Sequence, residues 1–313
     1  MTSDTFDYII VGAGSAGCVL ANRLTASGRY SVLLLEAGPR DNYLWIHLPI
    51  GYAKTMFHKV YNWGFYTEPE PYMNSRRIYW PRGRGLGGSS SVNGLIYVRG
   101  QPEDYDQWAA LGNSGWGWRD VLPYFIKSEG NCRGASEYHG GEGPLSCSDI
   151  GEPHPLMEAI IDGAGELGVS RNDDFNGAIQ EGVGYYQLFT RKGWRSSTAV
   201  GYLRPALKRT NLRVETGAQA TSLIVERSNG GNPVVRTTGV RYRQRGVDVE
   251  VRAAREIIVS AGALQSPQLL QLSGIGGASF LASKGVALAH DLPGVGENLQ
   301  DHLQARLMFK VKQ

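Results

Sequence analysis

The sequence predicts an α/β fold, α+β overall, in which a parallel sheet continues into a β-meander. Residues 6–38 read as strand, glycine-rich turn, helix and strand, and residues 256–274 repeat the strand, turn and helix. Between them lies a run of short apolar stretches separated by turn residues. Strands that alternate with helices indicate parallel pairing, whereas strands joined by short turns indicate antiparallel pairing.

The composition is that of a folded protein with an unusual amount of glycine. Of the 313 residues, 42% are hydrophobic and 19% are charged, which is enough apolar material for a core. The chain has 42 glycines, well above the usual share of about 7%. They are scattered among apolar runs, so they indicate tight turns and close backbone approaches instead of linkers or repeats.

Charge and cysteine content argue against several classes of protein. The net charge of +3 comes from interleaved basic and acidic residues, so we expect no nucleic-acid partner. No stretch approaches the ~20 apolar residues of a membrane helix, and the first apolar run is too short for a signal peptide, so we expect no membrane anchor. Cys18, Cys132 and Cys147 lack C-x-x-C spacing, which indicates a reducing, cytoplasmic compartment and no metal site.

The first unit begins with a strand at Tyr8–Val11 and ends with a second strand at Ser31–Leu35. Neither strand alternates apolar and polar residues, which is typical of parallel strands covered on both faces. Gly28 ends the helix between them. The apolar side of that helix is formed by Ala16, Val19, Leu20 and Leu24.

The turn after the first strand has the spacing G-x-G-x-x-G. Gly12 permits a tight turn, Gly14 lets the backbone approach a pyrophosphate, and Gly17 lets helix and strand pack closely. Ser15 and Ala16 open the helix, whose N-terminus offers free amides and a positive dipole end to phosphates. The segment therefore predicts a Rossmann-like dinucleotide site.

Glu36 closes the second strand, 24 residues after Gly12. A carboxylate at this place accepts hydrogen bonds from ribose hydroxyls and repels a 2′-phosphate, which disfavours NADP. The alternative is a structural turn followed by a surface glutamate. Because strand, helix, second strand and acid all occur in order, the dinucleotide interpretation is favoured, although this unit does not separate FAD from NAD.

A second glycine-rich segment, PRGRGLGGSSSVNG at 81–94, holds five glycines and three serines. Such a segment contributes little to a core and exposes its backbone amides to whatever approaches it. A surface loop is the alternative interpretation for this segment taken alone.

The stretch after residue 211 is expected to form five strands, at 212–216, 221–226, 237–243, 247–253 and 256–260. SNGGNP, at 228–233, is a clear turn between two of them. After the last strand, Ser266 is expected to cap a helix that has Pro267 at its first position. Gly274 is expected to end that helix.

The 81–94 segment resembles the signature of the glucose–methanol–choline (GMC) family of FAD-dependent oxidoreductases, and its choline-dehydrogenase-like bacterial branch is the most similar. Further segments that resemble the family occur in order along the chain, at 61–71, 96–129, 195–218, 257–276 and 292–302. The resemblance therefore covers essentially the entire chain and implies an FAD cofactor.

By this resemblance, the 81–94 segment runs along the flavin and its pyrophosphate, with Arg84 near phosphates or loop carbonyls. Asn93 and Gly94 lie beside the reactive edge of the isoalloxazine ring, where backbone N–H groups stabilise negative charge on the reduced flavin. The cofactor-binding residues implied in this way are Gly12, Gly14, Ser15, Ala16, Gly17, Glu36, Trp63, Gly83, Gly87, Gly88, Ser89, Asn93, Gly94, Leu95, Ile96 and Ala220.

Three further interpretations concern aromatic and aliphatic positions. Some family members bond FAD covalently through a histidine just before the asparagine; Val92 stands there, so the resemblance implies non-covalent FAD. Trp63 is expected near the FAD, with an aromatic core residue as the alternative. The cluster expected to serve packing, with a substrate cage as the alternative, comprises Trp108, Trp116 and Trp118.

The resemblance also divides the chain into domains. It implies a discontinuous FAD-binding domain at 1–155 and 205–305. The beginning of an antiparallel-sheet substrate domain occupies 156–204 and 306–313, with Met308–Val311 as its first strand and the remainder absent. A scaffold helix of that domain is expected from the spacing of Leu156, Ile160, Ala164 and Leu167.

The function implied is FAD-dependent oxidation of a primary alcohol to an aldehyde by hydride transfer to flavin N5. No catalytic residue is assigned, because the family's histidine pair is expected beyond residue 313, and His302 is expected to be structural. The alternatives are a non-catalytic FAD-binding half completed by a second chain, a flavin-containing lyase on the same scaffold, and an NAD dehydrogenase.

Overall fold

A computed structural model describes residues 4–227, 235–302, 308 and 310. The strands, in chain order, are β1 Thr5–Val11, β2 Val32–Glu36, β3 Phe65–Tyr66, β4 Tyr79–Trp80, β5 Ile96–Tyr97, β6 Glu129–Asn131, β7 Leu145–Cys147, β8 Gln187–Leu188, β9 Thr190–Arg191, β10 Trp194–Arg195, β11 Leu212–Thr216, β12 Ala218–Arg227, β13 Val235–Gln244, β14 Val247–Val259, β15 Ile275–Gly276 and β16 His290–Asp291. The turn expected at 228–233 lies outside the described residues, as do Phe309 and Val311 of the strand expected at the end of the chain.

The helices are short and lie between these strands. In chain order they are α1 Ser15–Thr25, α2 Leu44–His47, α3 Tyr52–Thr55, α4 Pro102–Ala110, α5 Trp118–Ser128, α6 Pro155–Glu166, α7 Arg204–Ala206, α8 Gly262–Leu272 and α9 Ala278–Ser283. Single 3₁₀ turns occur at Pro49–Gly51, Pro71–Met73 and Gly88–Ser91, and Ala199–Leu203 is a π-helical turn. Within the described part of the chain, no helix has the length and apolar character needed to cross a bilayer.

Six strands form the main sheet, in the order β11-β2-β1-β14-β13-β12. The pairs β11–β2, β2–β1 and β1–β14 are parallel, whereas β14–β13 and β13–β12 are antiparallel. The expected parallel sheet with a meander is therefore confirmed.

One strand joins the two parts of the sheet. The sequence suggested separate strands at 247–253 and 256–260, but β14 is continuous over Val247–Val259. Its first half pairs with β13, and its second half pairs with β1 from Arg252 to Val259. Strand β14 is thus both the last strand of the meander and a strand of the parallel sheet.

Both faces of the parallel strands are buried. Ile9, Leu33 and Leu35 face one core together with meander residues and Leu269 of α8. The other core lies under α1 and is filled from β1 and β2 by Ile10, Val32 and Leu34. This two-sided burial explains why the strands show no apolar–polar alternation.

Helix α1 fully buries small residues and only partly buries its large apolar ones. The fully buried residues are Gly17, Cys18, Ala21, Asn22 and Thr25. Of the apolar side expected from the sequence, only Ala16 is exposed, and the other three residues are partly buried. The reason is distance: a Cβ on Gly17 would lie 1.9 Å from the Gly12 carbonyl oxygen. At Gly17 the helix is therefore too close to the turn for a side chain, while Val19, Leu20 and Leu24 pack against the same core from partly buried positions.

Helix α8 begins five residues earlier than expected. Its N-cap is Ala261 and its first residue is Gly262, which takes a φ of +88° at the turn out of β14. Pro267 therefore lies inside the helix, and the expectation that Ser266 would cap it was wrong. The helix does end before Gly274, whose φ of +80° is a left-handed conformation that favours glycine.

The scaffold helix expected from Leu156, Ile160, Ala164 and Leu167 forms as α6, but its apolar side is not covered by the described residues. Ile160 is 52% exposed and Leu167 is 86% exposed, and only Ile161 of this helix is buried. Tyr202 and Leu203 also belong to the segment 156–204 that was assigned to the second domain, but they are buried in the core beside α1. The division into domains itself stays a prediction.

A buried polar cluster holds together the loops that follow β5 and α5. The Arg99 guanidinium donates to the Glu129 carboxylate at 2.8 Å, and both side chains are 1% exposed. His139 lies 2.9 Å from Glu129 through Nδ1 and 2.9 Å from Asp174 through Nε2. Burial alone would raise the pKa of Glu129, but hydrogen bonds from His139, Gly140 and other donors outweigh it and lower that pKa.

We predict that Glu129→Gln lowers the free energy of unfolding by about 3–5 kcal/mol, because it leaves the buried Arg99 cation without its carboxylate. The matched control is Glu250→Gln, which removes the exposed partner of Arg241 and should cost less than about 1 kcal/mol. Urea unfolding measures both variants. Equal losses would contradict the importance of the buried pair.

We also predict a pH dependence of stability that comes from His139. Its hydrogen bond to Glu129 raises its pKa above the ordinary 6.5, with Asp174 adding to the effect. The protonated ring therefore stabilises the fold fully below pH 6.5, and this contribution is lost as the pH rises through the raised value. The stability advantage of wild type over His139→Asn should shrink as the pH rises above 6.5.

Urea unfolding on both sides of this pH range measures that difference. His290→Asn is the control, because His290 is exposed and should leave the wild-type pH profile unchanged. A constant difference between wild type and His139→Asn across the range would show that the prediction is wrong.

Candidate nucleotide site

A cavity of about 1110 Å³ opens at the carboxyl ends of the parallel strands. Val11 of β1, Leu35 and Glu36 of β2, and Val259 of β14 all line it. In open α/β sheets, ligands bind in a crevice at this end of the strands. The cavity is therefore the candidate site for an elongated ligand.

The N-terminus of α1 points its free amides into this cavity. Gly14, Ser15 and Ala16 line the cavity beside Gly12, which has a φ of +100°. A Cβ on Gly12 would lie 2.6 Å from the Ser260 carbonyl oxygen, so this glycine is required by the protein backbone itself. A Cβ on Gly14 would meet nothing closer than 4.0 Å, so its missing side chain leaves room for a ligand.

The second glycine-rich segment lies directly on the first. The Gly87 N–H donates to the Ala13 carbonyl at 2.8 Å. A Cβ on Gly88 would lie 2.7 Å from the Gly14 Cα, which only glycine avoids. Gly83, Gly88 and Ser89 line the cavity from this side. The two segments, far apart in sequence, thus form one wall of bare backbone.

Glu36 joins these two segments. Its Oε2 accepts the Ala13 N–H at 2.9 Å, and its Oε1 accepts the Gly38 N–H at 2.8 Å and the Gly85 N–H at 2.9 Å. Burial raises the pKa of this carboxyl, while the three amide donors and Arg84 oppose the rise. Glu36 also lines the cavity.

Ala220 was predicted from the resemblance, and it lines the cavity in a segment that runs from Ala218 through Gln219. Glu36 and this segment thus both contribute to the cavity lining. Trp63 also lines the cavity and is half-buried, and its contact with a cofactor stays a prediction.

Of the two arginines in the glycine-rich segment, Arg82 is the one that lines the cavity. Arg84 lies 5.1 Å from the Trp63 ring centre, and its Nη2 donates to the Ala37 carbonyl at 3.5 Å. The Nε of Arg84 is buried without a hydrogen-bond partner among the described residues. Arg82 and Arg84 therefore place two guanidinium groups close to the glycine-rich wall.

Several residues of the expected set do not line this cavity. Gly17 and Gly87 are buried behind it and support its backbone. The other four lie further along the chain than Ser89. Asn93, Gly94 and Ile96 are exposed, and Leu95 is buried with a φ of +63°. The Asn93 Oδ1 accepts hydrogen bonds from the Leu95 N–H and from Arg195.

Trp116 and the N-terminal part of α8 line the cavity, although none of their residues belongs to the expected set. Trp116, expected to pack, lines the cavity and is 54% exposed. The turn that contains Trp116 is fixed by a hydrogen bond from the Trp118 N–H to Asp106 Oδ1. The Trp116 ring makes an edge-to-face contact with the Trp108 ring. No pattern in the sequence marks Trp116 for the cavity, because its position depends on how a distant loop is folded.

The cysteine at the helix N-terminus is not a nucleophile. Cys18 is fully buried, and its thiol donates to the Ala13 carbonyl. Burial raises the pKa of Cys18 to about 12, so the thiol stays protonated. His302 is exposed, and its described backbone N–H contact is with Asp301.

Comparison with known proteins gives consistent matches over the whole chain. An alcohol dehydrogenase [acceptor] of Pseudomonas putida is 47% identical over 306 residues, covering 97% of this chain and 54% of that protein. An oxygen-dependent choline dehydrogenase of Photobacterium profundum is 46% identical over 312 residues, covering 99% of this chain and 54% of that protein. The chain thus spans about half the length of the curated relatives it matches, and that half is N-terminal.

Solved structures agree with this comparison. Pyridoxine 4-oxidase from Mesorbium loti superposes with a TM-score of 0.89 at 35% identity, covering 95% of this chain and 57% of that one. An FAD-dependent oxidoreductase from Chaetomium thermophilum superposes with a TM-score of 0.85 at 32% identity. The match covers 95% of this chain and 52% of that one. The family model described as GMC oxidoreductase matches residues 6–304. The chain therefore belongs to the GMC oxidoreductase family.

Proposed function

We propose that this chain binds FAD without a covalent bond and forms the FAD-binding part of an enzyme that oxidises a primary alcohol to an aldehyde. The observation that carries the proposal is the wall of bare backbone formed by the two glycine-rich segments along the cavity. Family membership and the alcohol and choline dehydrogenases among the relatives support it.

The residues of the cavity suit each part of FAD. We assign the pyrophosphate to the N-terminus of α1, where free amides and Arg82 offset its charge. We assign the ribose to Glu36 and the adenine to the backbone of Ala218–Ala220. The flavin then follows the chain beyond Ser89, where Gly94 leaves open space, since a Cβ there would meet nothing within 4 Å.

Val92 explains the non-covalent part of the proposal. It stands where some family members carry a flavin-bonding histidine, and its aliphatic side chain is buried and has no nucleophilic atom. Bound FAD would accept a hydride at N5 from the carbon that bears the hydroxyl group. The residues of this chain would bind and orient the cofactor, and we assign none of them to removal of the hydroxyl proton.

The alternative is a non-catalytic FAD-binding half that a second chain completes. The exposed apolar side of α6 favours completion by further polypeptide, whether in the same chain or in another. Cys18, Cys132 and Cys147 are unpaired, which supports the proposed cytoplasmic location.

We predict that purified protein is yellow and that acid precipitation releases unmodified FAD. A primary alcohol should bleach the flavin absorbance and yield an aldehyde. Aldehyde formation without bleaching of the flavin absorbance would favour a lyase. FAD-loaded protein that no alcohol reduces would favour the non-catalytic half. Mass spectrometry would then establish the size of that polypeptide. Colourless protein that takes up no added FAD would contradict the proposal altogether.

We predict that Gly14→Val abolishes cofactor binding without unfolding the protein. Gly14 has a φ of −74° and a ψ of −162°, which a side chain tolerates, and its Cβ would project into open cavity space. The free energy of unfolding without cofactor should change by less than about 0.5 kcal/mol, while FAD affinity should fall at least about tenfold.

The control is Gly163→Val, because a Cβ on Gly163 of α6 also meets nothing within 4 Å but lies outside the cavity. Fluorescence titration with FAD measures affinity, and urea unfolding measures stability. Wild-type FAD affinity in Gly14→Val would show that the pyrophosphate lies elsewhere.

A further inference from the structure

Arg195 is a buried cation without a counter-ion. The residue is 2% exposed, and among the described residues no carboxylate lies within 4.0 Å of its guanidinium. The other buried arginine, Arg99, has Glu129 at 2.8 Å. A buried charge is normally paired, because the loss of hydration is otherwise too costly. The missing partner of Arg195 therefore needs an explanation.

Every acceptor that Arg195 contacts is neutral. Its Nε donates to the Ile46 carbonyl at 2.7 Å, and its Nη1 donates to the Ser90 carbonyl at 3.2 Å. Asn93 receives two hydrogen bonds of 2.8 Å, one from Nη1 to its side-chain Oδ1 and one from Nη2 to its backbone carbonyl. These contacts fix the guanidinium on the loop that continues from the cavity-lining Ser89.

Burial also changes the pKa of this arginine. Loss of hydration lowers the pKa of Arg195 to about 10, and no carboxylate contributes to the shift. The group is still charged at neutral pH. Because it lies in a medium of low polarity, its field extends to neighbouring groups with less screening than a surface charge would have.

Arg195 also sets the orientation of the Asn93 amide. The Oδ1 of Asn93 is occupied by Arg195 and by the Leu95 N–H at 3.1 Å. The Nδ2 end is then turned away from both, and it makes no hydrogen bond to any described residue. Asn93 is exposed, and next to it Gly94 leaves its outer side open. A free N–H donor is thus held at an open surface by a buried cation.

We propose that Arg195 supplies the positive charge that favours reduction of the bound flavin, acting from behind Asn93 and orienting its amide donor toward the ring. The proposal rests on FAD binding as proposed above. A hydride brings two electrons and one proton to the flavin, so the ring gains one negative charge. A fixed cation and an oriented N–H donor stabilise that charge without reorganisation, which raises the reduction potential.

Two substitutions test the charge in opposite ways. Arg195→Gln removes it, whereas Arg195→Lys keeps it with fewer hydrogen bonds. Reductive titration against a reference dye measures the midpoint potential of protein loaded with FAD. Arg195→Gln should lower the potential by at least about 30 mV, a tenfold change in a two-electron equilibrium. Arg195→Lys should retain most of the wild-type value.

Asn93→Asp is the second variant, and it should fold even if Arg195→Gln does not. It provides the missing carboxylate to Arg195 while keeping both acceptor contacts of Oδ1. We expect a higher melting temperature without cofactor and a lower flavin potential with it. A purely structural Arg195 would leave the potential of FAD-loaded Arg195→Gln at the wild-type value.

Arg191→Gln is the control, since Arg191 is exposed on the neighbouring strand β9 and should leave the potential unchanged. If wild type takes up no FAD, the proposed function and this inference both fail. If the variants bind FAD but Arg195→Gln and Asn93→Asp keep the wild-type potential, only the role of Arg195 is overturned.

Discussion

The candidate site depends on one buried carboxylate. Glu36 accepts amides from Ala13, Gly38 and Gly85, which belong to three separate segments of backbone. These amides would otherwise repel one another and remain unsatisfied in a buried place. The same carboxylate that the sequence marks as a ribose acceptor therefore also assembles the wall against which a phosphate can lie. Its position at the end of β2 fixes both glycine-rich segments relative to the sheet.

The two buried arginines show how the same residue type serves two purposes. Arg99 is neutralised by Glu129 and joins loops at a distance from the cavity. Arg195 is held by neutral oxygens and keeps its charge uncompensated beside the loop that leaves the cavity. Stability alone would favour a carboxylate near both, because an unpaired buried charge costs folding free energy. A charge retained at this cost is typical of a functional site.

The sequence allowed much of the fold and the core of the site to be predicted, because those features are local. The turn at Gly12, the parallel strands and Glu36 each follow from neighbours along the chain. Trp116 and the choice of Arg82 over Arg84 were not predictable, since they depend on which side chains distant loops turn toward the cavity. The fully buried residues of α1 lie outside the apolar side expected from the sequence, because the backbone contact at Gly17, and not hydrophobicity, decides which side packs closest.

The continuous strand β14 has a consequence for how the protein is made. Strand β1 precedes β14 in the sequence by more than 200 residues, since Val11 pairs with Val259, so β1 is synthesised well before this neighbour. Until β14 is made, one edge of β1 has no neighbouring strand, and this unpaired apolar edge of the nascent chain is prone to aggregation. The long separation between β1 and β14 therefore leaves an unpaired strand edge during synthesis that the finished sheet removes.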